Sequence, residues 1–511
     1  MSHAKITINP AFRVGAVDRR LFGGFVEHLG RGIYTGIYEP GHPTADKNGF
    51  RNDVADLVKE LGVTVIRYPG GNFVSGYNWE DGIGPKEHRP RRLDLAWHST
   101  ETNEVGLDEF ATWVRKVNGD LMLAVNLGTR GVSEALDLLE YANISAGTKW
   151  AEQRRANGQM DPHNVRTWCL GNEMDGPWQL GRRTAEDYAE IAGKTAQALR
   201  QIDPALELVI CGSSKRQMPT FATWERTVLL ETFESVDFIS CHAYFEELDG
   251  DLGSFLASGV SVDKYIQEVV ATIEHVKAAL KSDHVVDISF DEWNVWYNPR
   301  FKPNPEAKDP QDWPIAPRLL EDVYSVADAV VVGGMLISLL KHADRVKIAN
   351  LAQLVNVIAP IMTEPGGDAW RQTTFYPFAQ ASACARGEVL QTLVEADQYT
   401  TAEHGQVDII DSVATFDQAK GSICILMVNR SMADATDVTV ALDSFEDWKL
   451  ESFMTLSNED FYAKNTVSDQ NLVRPVENTT LSVDGGHVRF SLPPVSWSCL
   501  VLETAPSPQQ H

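Results

Sequence analysis

Short apolar runs that end in polar residues alternate with stretches of helical period through most of this chain, and that alternation sets the expected fold. Lys5–Asn9 alternates like a half-exposed strand, and Pro10–Arg20 is not expected to continue it. From Leu21 onward the runs Leu21–Val26, Val63–Tyr68, Leu121–Val125, Val165–Leu170, Leu206–Ile210, Val236–Ser240, Val285–Phe290 and Val346–Ile348 read as strands. Asp53–Leu61, Gly131–Tyr141, Thr184–Arg200, Ser261–Leu280 and Leu319–Leu340 read as helices between them. Short β-branched runs are typical of strands covered on both faces, so eight of them interleaved with helices predict an α/β fold, a (β/α)8 TIM barrel over residues 21–376. After Pro377–Arg386 the helices stop. Val389–Val394, Val407–Phe416, Ser422–Asn429, Thr436–Leu442, Leu450–Met454, His487–Leu492 and Trp497–Leu502 predict an all-β sandwich over residues 377–511, which the strand of residues 1–20 could join. The end, Thr504–His511, is expected to fray.

Polar residues gather where these strands finish. Glu27 follows the first, Asn72 the second, Asn172 and Glu173 the fourth, His242 and Tyr244 the sixth, Glu292 the seventh and Gln353 the eighth. In a (β/α)8 barrel those ends form one face, where loops build the active site. The run T-W-C-L-G-N-E-M-D-G-P-W-Q, Thr167–Gln179, stops at Gly171 and delivers Asn172 and Glu173 side by side; V-V-D-I-S-F-D-E-W-N-V-W, Val285–Trp296, has the same design and ends in Glu292. A lone glutamate would be read as a solvated loop acid. Two of them at like ends of two strands answer to hydrolysis of a glycosidic bond, which takes one protonated and one ionised carboxyl group. His242 and Tyr244, two apart, should point the same way; Tyr244 is expected to donate to Glu292, with His242 supporting Glu292 from behind or sitting as a satisfied core histidine. Asp175 and Asp291 read as structural ion partners. The second loop, Pro69–Gly106, carries Phe73, Tyr77, Trp79 and Trp97, and the seventh, Tyr297–Pro317, carries Trp313. Aromatic faces stack on sugar rings, so these loops either wall a carbohydrate cleft or pack onto the barrel; Trp97 and Trp296 are the candidates for substrate contact.

Composition narrows the partners. With 45 Lys+Arg against 71 Asp+Glu the net charge is −26, the wrong sign for nucleic acid or an anionic membrane. The basic run His88–Arg92 is the exception and reads as an ion-paired loop or subunit contact. Six widely spaced cysteines without a C-x-x-C look like small buried hydrophobes in a reducing compartment. No apolar signal core and no run of eighteen apolar residues occurs, so a cytoplasmic protein acting on imported substrate is expected.

G-N-E-M-D-G-P-W-Q at Gly171–Gln179, F-D-E-W-N-V-W-Y at Phe290–Tyr297, R-Y-P-G-G-N-F-V-S-G-Y-N-W at Arg67–Trp79 and F-G-G-F-V-E-H at Phe22–His28 resemble the α-L-arabinofuranosidases of glycoside hydrolase family 51. The resemblance runs from about Leu21 into the C-terminal domain. It implies a clan A barrel, a jelly-roll-like C-terminal domain that the N-terminal strand joins, and net retention at the anomeric carbon. It implies no cofactor, an arabinofuranosyl oligosaccharide as substrate, and a homo-oligomer, frequently a hexamer. It further implies that Glu173 is the acid/base and Glu292 the nucleophile, that Glu27, Asn72, Asn172, Tyr244 and Gln353 bind sugar, and that His242 lies near the nucleophile. Rival readings are a retaining endo-glucanase or xylanase on the same barrel and a non-catalytic carbohydrate-binding protein. A metal or Schiff-base enzyme is poorly supported, since His28, His242 and His342 lack a dense ligand spacing and Lys347 is a weak candidate.

Overall fold

The computed structural model describes residues 2–298, 309, 311–445 and 447–504. Eight parallel strands close into a barrel: Gly23–Phe25, Val65–Tyr68, Asp120–Ala124, Thr167–Cys169, Glu207–Ile210, Phe238–Phe245, Asp287–Val295 and Val346–Ala352 are its staves in chain order. Inside it, Val65, Met122, Ala124, Cys169, Val209, Phe238 and Ile348 form a plug, so the barrel is a packed core and not a pore. The outward residues meet the helix layer in the main core. Two helices start on clear signals. Thr184 accepts a hydrogen bond from Asp187 N and opens Ala185–Ile202, and Ser325 forms a capping box with Asp328 that opens Val326–Lys341.

The structure corrects several boundaries. The sixth and seventh strands run on to Phe245 and Val295, so His242, Tyr244 and Glu292 lie within the strands and not beyond them. The expected helix Leu319–Leu340 begins only at Val326, because the Ser325 cap fixes its start while Leu320 and Tyr324 are tied to Ile358 and Gln372. The first barrel strand is cut to Gly23–Phe25 by a 3-10 turn at Arg19–Phe22, opened by the Asp18 carboxylate accepting from Arg20 N. The N-terminal strand does continue past Pro10, as Ser2–Ala16. Its ladder shifts register between Ile8 and Arg13, and that bulge takes up Pro10, which has no N–H to donate.

That N-terminal strand lies in a ten-stranded sheet, antiparallel to Glu388–Ala396 and parallel to Thr436–Ala441. The expected sandwich is thus one continuous sheet that rolls over its own core. Phe453 and Phe490, on strands near its opposite ends, meet edge to face at 4.7 Å between ring centres. Alternation along Ser422–Asn429 sorts the two faces: Ile423, Ile425 and Met427 fill the sheet's own core, while Cys424, Leu426 and Val428 join the core shared with the barrel. Trp497 makes the seam tight. A Cβ on Gly333 would come within 2.3 Å of its ring, and its indole N–H reaches Gln380 at 2.8 Å. The helix Phe375–Cys384 crosses the expected boundary at residue 377 and packs between barrel and sheet. The end expected to fray lies outside the described residues from 505 onward, as does most of the seventh loop.

Candidate active site

Register explains how two neighbouring acids come to face one site. On the seventh strand Ser289 pairs with Ser240 and Glu292 with His242, so three steps on one strand match two on the other. This bulge lets Asp291 and Glu292 both reach polar partners in the barrel mouth, although adjacent strand residues normally point apart. Glu292 Oε1 accepts from Arg67 Nη1 at 2.7 Å, and its Oε2 accepts from the Tyr244 hydroxyl at 2.8 Å. Burial and the Glu292 charge hold the Tyr244 phenol well above its ordinary pKa, which keeps it a donor. The Arg67 guanidinium lies over the Phe25 ring at 5.0 Å and also donates to Asn172 Oδ1 at 2.7 Å.

Glu173 arrives from a tight turn after the fourth strand. Gly171 has φ +97° and Glu173 itself φ +44°, a left-handed conformation that costs a non-glycine residue of order 1 to 3 kcal/mol and is held here by its contacts. Those contacts are His242 Nδ1, 2.9 Å from Oε1, and Trp178 Nε1, which donates to Oε2 at 2.8 Å. His242 Nε2 lies 2.9 Å from Asp291, and its Nδ1 lies 3.6 Å from Glu292. Burial alone would strip the proton from His242, but Glu292, Asp291 and Glu173 outweigh it and raise its pKa to about 10. Asp291 is likewise buried, yet Arg67 and His242 hold it below the usual carboxylate range. Glu173, His242 and Glu292 each bring an atom within 4.8 Å of the others.

A third acid sits beside this pair. Glu27 accepts from Phe73 N at 2.8 Å and Trp97 Nε1 at 2.9 Å, and Gln353 folds over it, accepting from Glu27 N at 3.0 Å. The backbone comes close enough only because residue 71 is glycine, with φ +53°; a Cβ there would lie 2.3 Å from Glu27 Oε2. Burial is the main reason the Glu27 carboxyl rises to about 8, with the Glu292 charge adding to it. Asn172 Nδ2 lies 3.5 Å from Asn72 Oδ1, and Trp296 packs edge-on against Tyr244 at 5.3 Å.

Comparison with known proteins places this constellation. Family models described as the α-L-arabinofuranosidase 1 domain and the α-L-arabinofuranosidase C-terminal domain match residues 57–265 and 291–496. An exo-α-(1→6)-L-arabinofuranosidase from Bifidobacterium longum is 57% identical over 510 residues, covering 98% of this chain and 97% of that protein. The solved structure of a family 51 α-L-arabinofuranosidase from Bifidobacterium longum superposes with a TM-score of 0.94 at 48% identity, over 98% of this chain and 99% of that one. The chain belongs to the α-L-arabinofuranosidases of glycoside hydrolase family 51. An intracellular exo-α-(1→5)-L-arabinofuranosidase from Streptomyces lividans is similar as well, 56% identical over 504 residues, 98% of this chain and 75% of that protein.

The arabinofuranosidase brings together Glu27, Asn72, Trp97, Asn172, Glu173, His242, Tyr244, Glu292, Trp296 and Gln353 at one barrel mouth. His242 differs from expectation: its close carboxylates are Glu173 and Asp291, each at 2.9 Å, with Glu292 farther off at 3.6 Å. Asp291 is an ion partner as expected, and Asp175 accepts from Ser214 N at 3.0 Å. Trp79 packs on Tyr141 and Trp150, and Trp313 on His98, so these loop aromatics hold loops in place. In the basic run, Arg89 pairs with Glu109 and Arg92 with Asp81, an ion-paired loop. Glu173, His242 and Glu292 are close enough to offer a metal three ligands, and here both ring nitrogens of His242 are engaged by carboxylates, Nδ1 by Glu173 and Nε2 by Asp291. Lys347 Nζ donates to the Ala343 carbonyl, His28 is tied to Glu101 and Tyr68, and His342 to Asp263, all apart from the carboxylate pair. Two residues were missed. Arg67 announced itself as a charge inside the buried run V-I-R-Y, and Trp178 stood in the Glu173 motif five positions on.

Proposed function

We propose that this arabinofuranosidase releases terminal non-reducing α-L-arabinofuranosyl residues from arabino- or arabinoxylo-oligosaccharides by double displacement with net retention. The observation that carries this reading is that one carboxylate oxygen of Glu173 and one of Glu292 lie within 4.8 Å of each other in contrasting surroundings. Retention takes carboxyl groups about 5 to 5.5 Å apart, whereas inversion needs about 6.5 to 9.5 Å to admit a water between them. Glu292, fixed by Arg67 and Tyr244, is the nucleophile. Its oxygen bonds to the anomeric carbon as the bond to the leaving oxygen breaks, and Glu173 supplies the proton that oxygen takes. In the second step Glu173 removes a proton from water, the water oxygen attacks the anomeric carbon, and Glu292 leaves as a carboxylate.

The charge on the pair is conserved through both steps, since Glu173 becomes an anion as Glu292 is esterified. His242 lies within 3.6 Å of both, so its imidazolium can face whichever carboxylate is charged without leaving its place. Asn172, fixed by Arg67, is placed to hydrogen-bond the 2-hydroxyl, a contact that tightens as the ring gains oxocarbenium character. Glu27, Asn72, Gln353, Trp97 and Trp296 supply the remaining sugar contacts.

The two relatives compared are named for different linkages, (1→6) and (1→5), at nearly equal identity, so linkage preference is open to direct measurement. One relative is named intracellular and no helix among the described residues is long and apolar enough to cross a membrane, which supports a cytoplasmic site of action on imported oligosaccharides. A hexameric assembly remains part of the reading, checked by sedimentation equilibrium. The test of function is proton NMR of arabino- and arabinoxylo-oligosaccharides during early hydrolysis. Free arabinose appearing first as the α-anomer supports the proposal. β-Arabinose first, or cleavage inside a chain, overturns it.

A further inference from the structure

Three cysteines that look scattered in the sequence converge on the seam between barrel and sheet. Cys384 ends the helix Phe375–Cys384, while Cys424 and Cys499 belong to the neighbouring strands Ser422–Asn429 and Ser496–Glu503. Cys424 lies opposite Val501 and Cys499 opposite Leu426, so the two sit diagonally on one face of the sheet, the face turned to the barrel. Cys384 meets both: it is joined to Cys424, and its Sγ is 3.4 Å from that of Cys499. The Cα atoms of Cys384 and Cys424 are 5.8 Å apart, inside the span of about 4.4 to 6.8 Å that a disulfide bridges without backbone movement.

The position gives the cluster a consequence. On one side the helix packs against the catalytic barrel, where Phe378 stacks on Trp293, the neighbour of Glu292, at 6.4 Å. On the other, Gln380 accepts from the sheet's Trp497. A bond from Cys384 to either strand therefore ties the two halves covalently. Exposure sets the order of events: Cys424 and Cys499 are 1% and 5% exposed, while Cys384 is half-buried and is the sulfur an oxidant from solvent meets first. Burial pushes the Cys499 thiol up to about 12, which makes it a poor first nucleophile.

We propose that Cys384, Cys424 and Cys499 form a thiol–disulfide modification site that staples the barrel to the sheet, with Cys384 pairing to either strand cysteine. The inference does not depend on the proposed function. The oxidant is a peroxide. The Cys384 thiolate attacks a peroxide oxygen, an S–O bond forms as the O–O bond breaks, and hydroxide leaves and is protonated to water. The Cys424 or Cys499 sulfur then attacks the Cys384 sulfenic sulfur; the S–S bond forms, the S–O bond breaks, and the thiol proton leaves with the hydroxide as a second water. Two thiols and one peroxide yield one disulfide and two waters. A small dithiol reverses the change by exchange.

The experiment uses the full chain, reduced, desalted, treated with hydrogen peroxide, alkylated under denaturing conditions and mapped by mass spectrometry. The expected result is one disulfide joining Cys384 to Cys424 or Cys499, reversed by dithiothreitol, with Cys169, Cys211 and Cys241 alkylated throughout and a higher Tm for the oxidised form. Cys424→Ser should move the linkage to Cys499, and Cys384→Ser should abolish any link between helix and sheet. Full alkylation of the peroxide-treated wild type, over-oxidised Cys384 without a cross-link, or a bridge confined to Cys424 and Cys499 would each overturn the proposal. The wild-type map decides the matter even if a serine variant fails to fold.

Discussion

Glu27→Gln should make the protein more stable at neutral pH, and by an amount that follows from burial. The carboxyl is 3% exposed, and its pKa rises from 4.5 to about 8 although Phe73 and Trp97 both donate to it. The unfolded chain gives up this proton near pH 4.5 and the folded chain near 8, so the folded state is penalised progressively between those values. At about 1.4 kcal/mol per pH unit, the penalty reaches roughly 3 kcal/mol at pH 7 and levels off near roughly 5 kcal/mol above pH 8. Glutamine keeps the shape and the acceptor oxygen and has no proton to lose. Urea unfolding of wild type and variant at a series of pH values from 4.5 to 8.5 should show equal stability at the acid end and a growing advantage for the variant toward neutrality. A variant less stable than wild type at pH 7 would refute the reasoning, since it would mean that the donors around Glu27 outweigh its desolvation and the group is ionised.

Arg67→Met should lower kcat/KM on an aryl arabinofuranoside by about 10²-fold or more, because it removes a charge-assisted hydrogen bond worth roughly 1.5 to 3 kcal/mol from each of Glu292 and Asn172. It should also destabilise the fold by roughly 3 to 5 kcal/mol by leaving buried carboxylates without their partner; a change in kcat/KM under about threefold would contradict the first expectation, and an unchanged urea midpoint the second. His242→Asn should reveal a charged imidazole. With its pKa raised from 6.5 to about 10, its contribution to stability is complete below 6.5 and lost as pH rises through about 10, so the gap in urea midpoint between wild type and variant should narrow across that window. A gap independent of pH would show that the imidazole is neutral.

The barrel was legible because buried parallel strands carry their own signature, and each of the eight expected runs falls on a stave of the barrel with only its ends displaced. The ends moved for a chemical reason. In C-H-A-Y-F and D-E-W-N-V the polar residues of the site interrupt the apolar run, so hydrophobic pattern stops where the ladder of hydrogen bonds continues. The carboxylate pair was visible for the same reason: charged residues in such positions need an explanation. Geometry that depends on register was not. No periodicity announces the bulge that turns Asp291 and Glu292 toward one site, the place of His242 between Glu173 and Asp291, or the meeting of Cys384 with two strands far along the chain. The bulge around Pro10 likewise hid the continuation of the N-terminal strand, since proline weakens the pattern at the point where the ladder skips it.

Mass mapping of a trapped intermediate tests the central claim most directly. Glu173→Ala, given an aryl arabinofuranoside whose leaving group needs no proton, should complete the first step and stall in the second, where general base catalysis typically contributes about 10² to 10⁴ in rate. The account predicts one arabinosyl group esterified to Glu292 in the quenched protein. Turnover with no covalent adduct, or an adduct on any other residue, would contradict it.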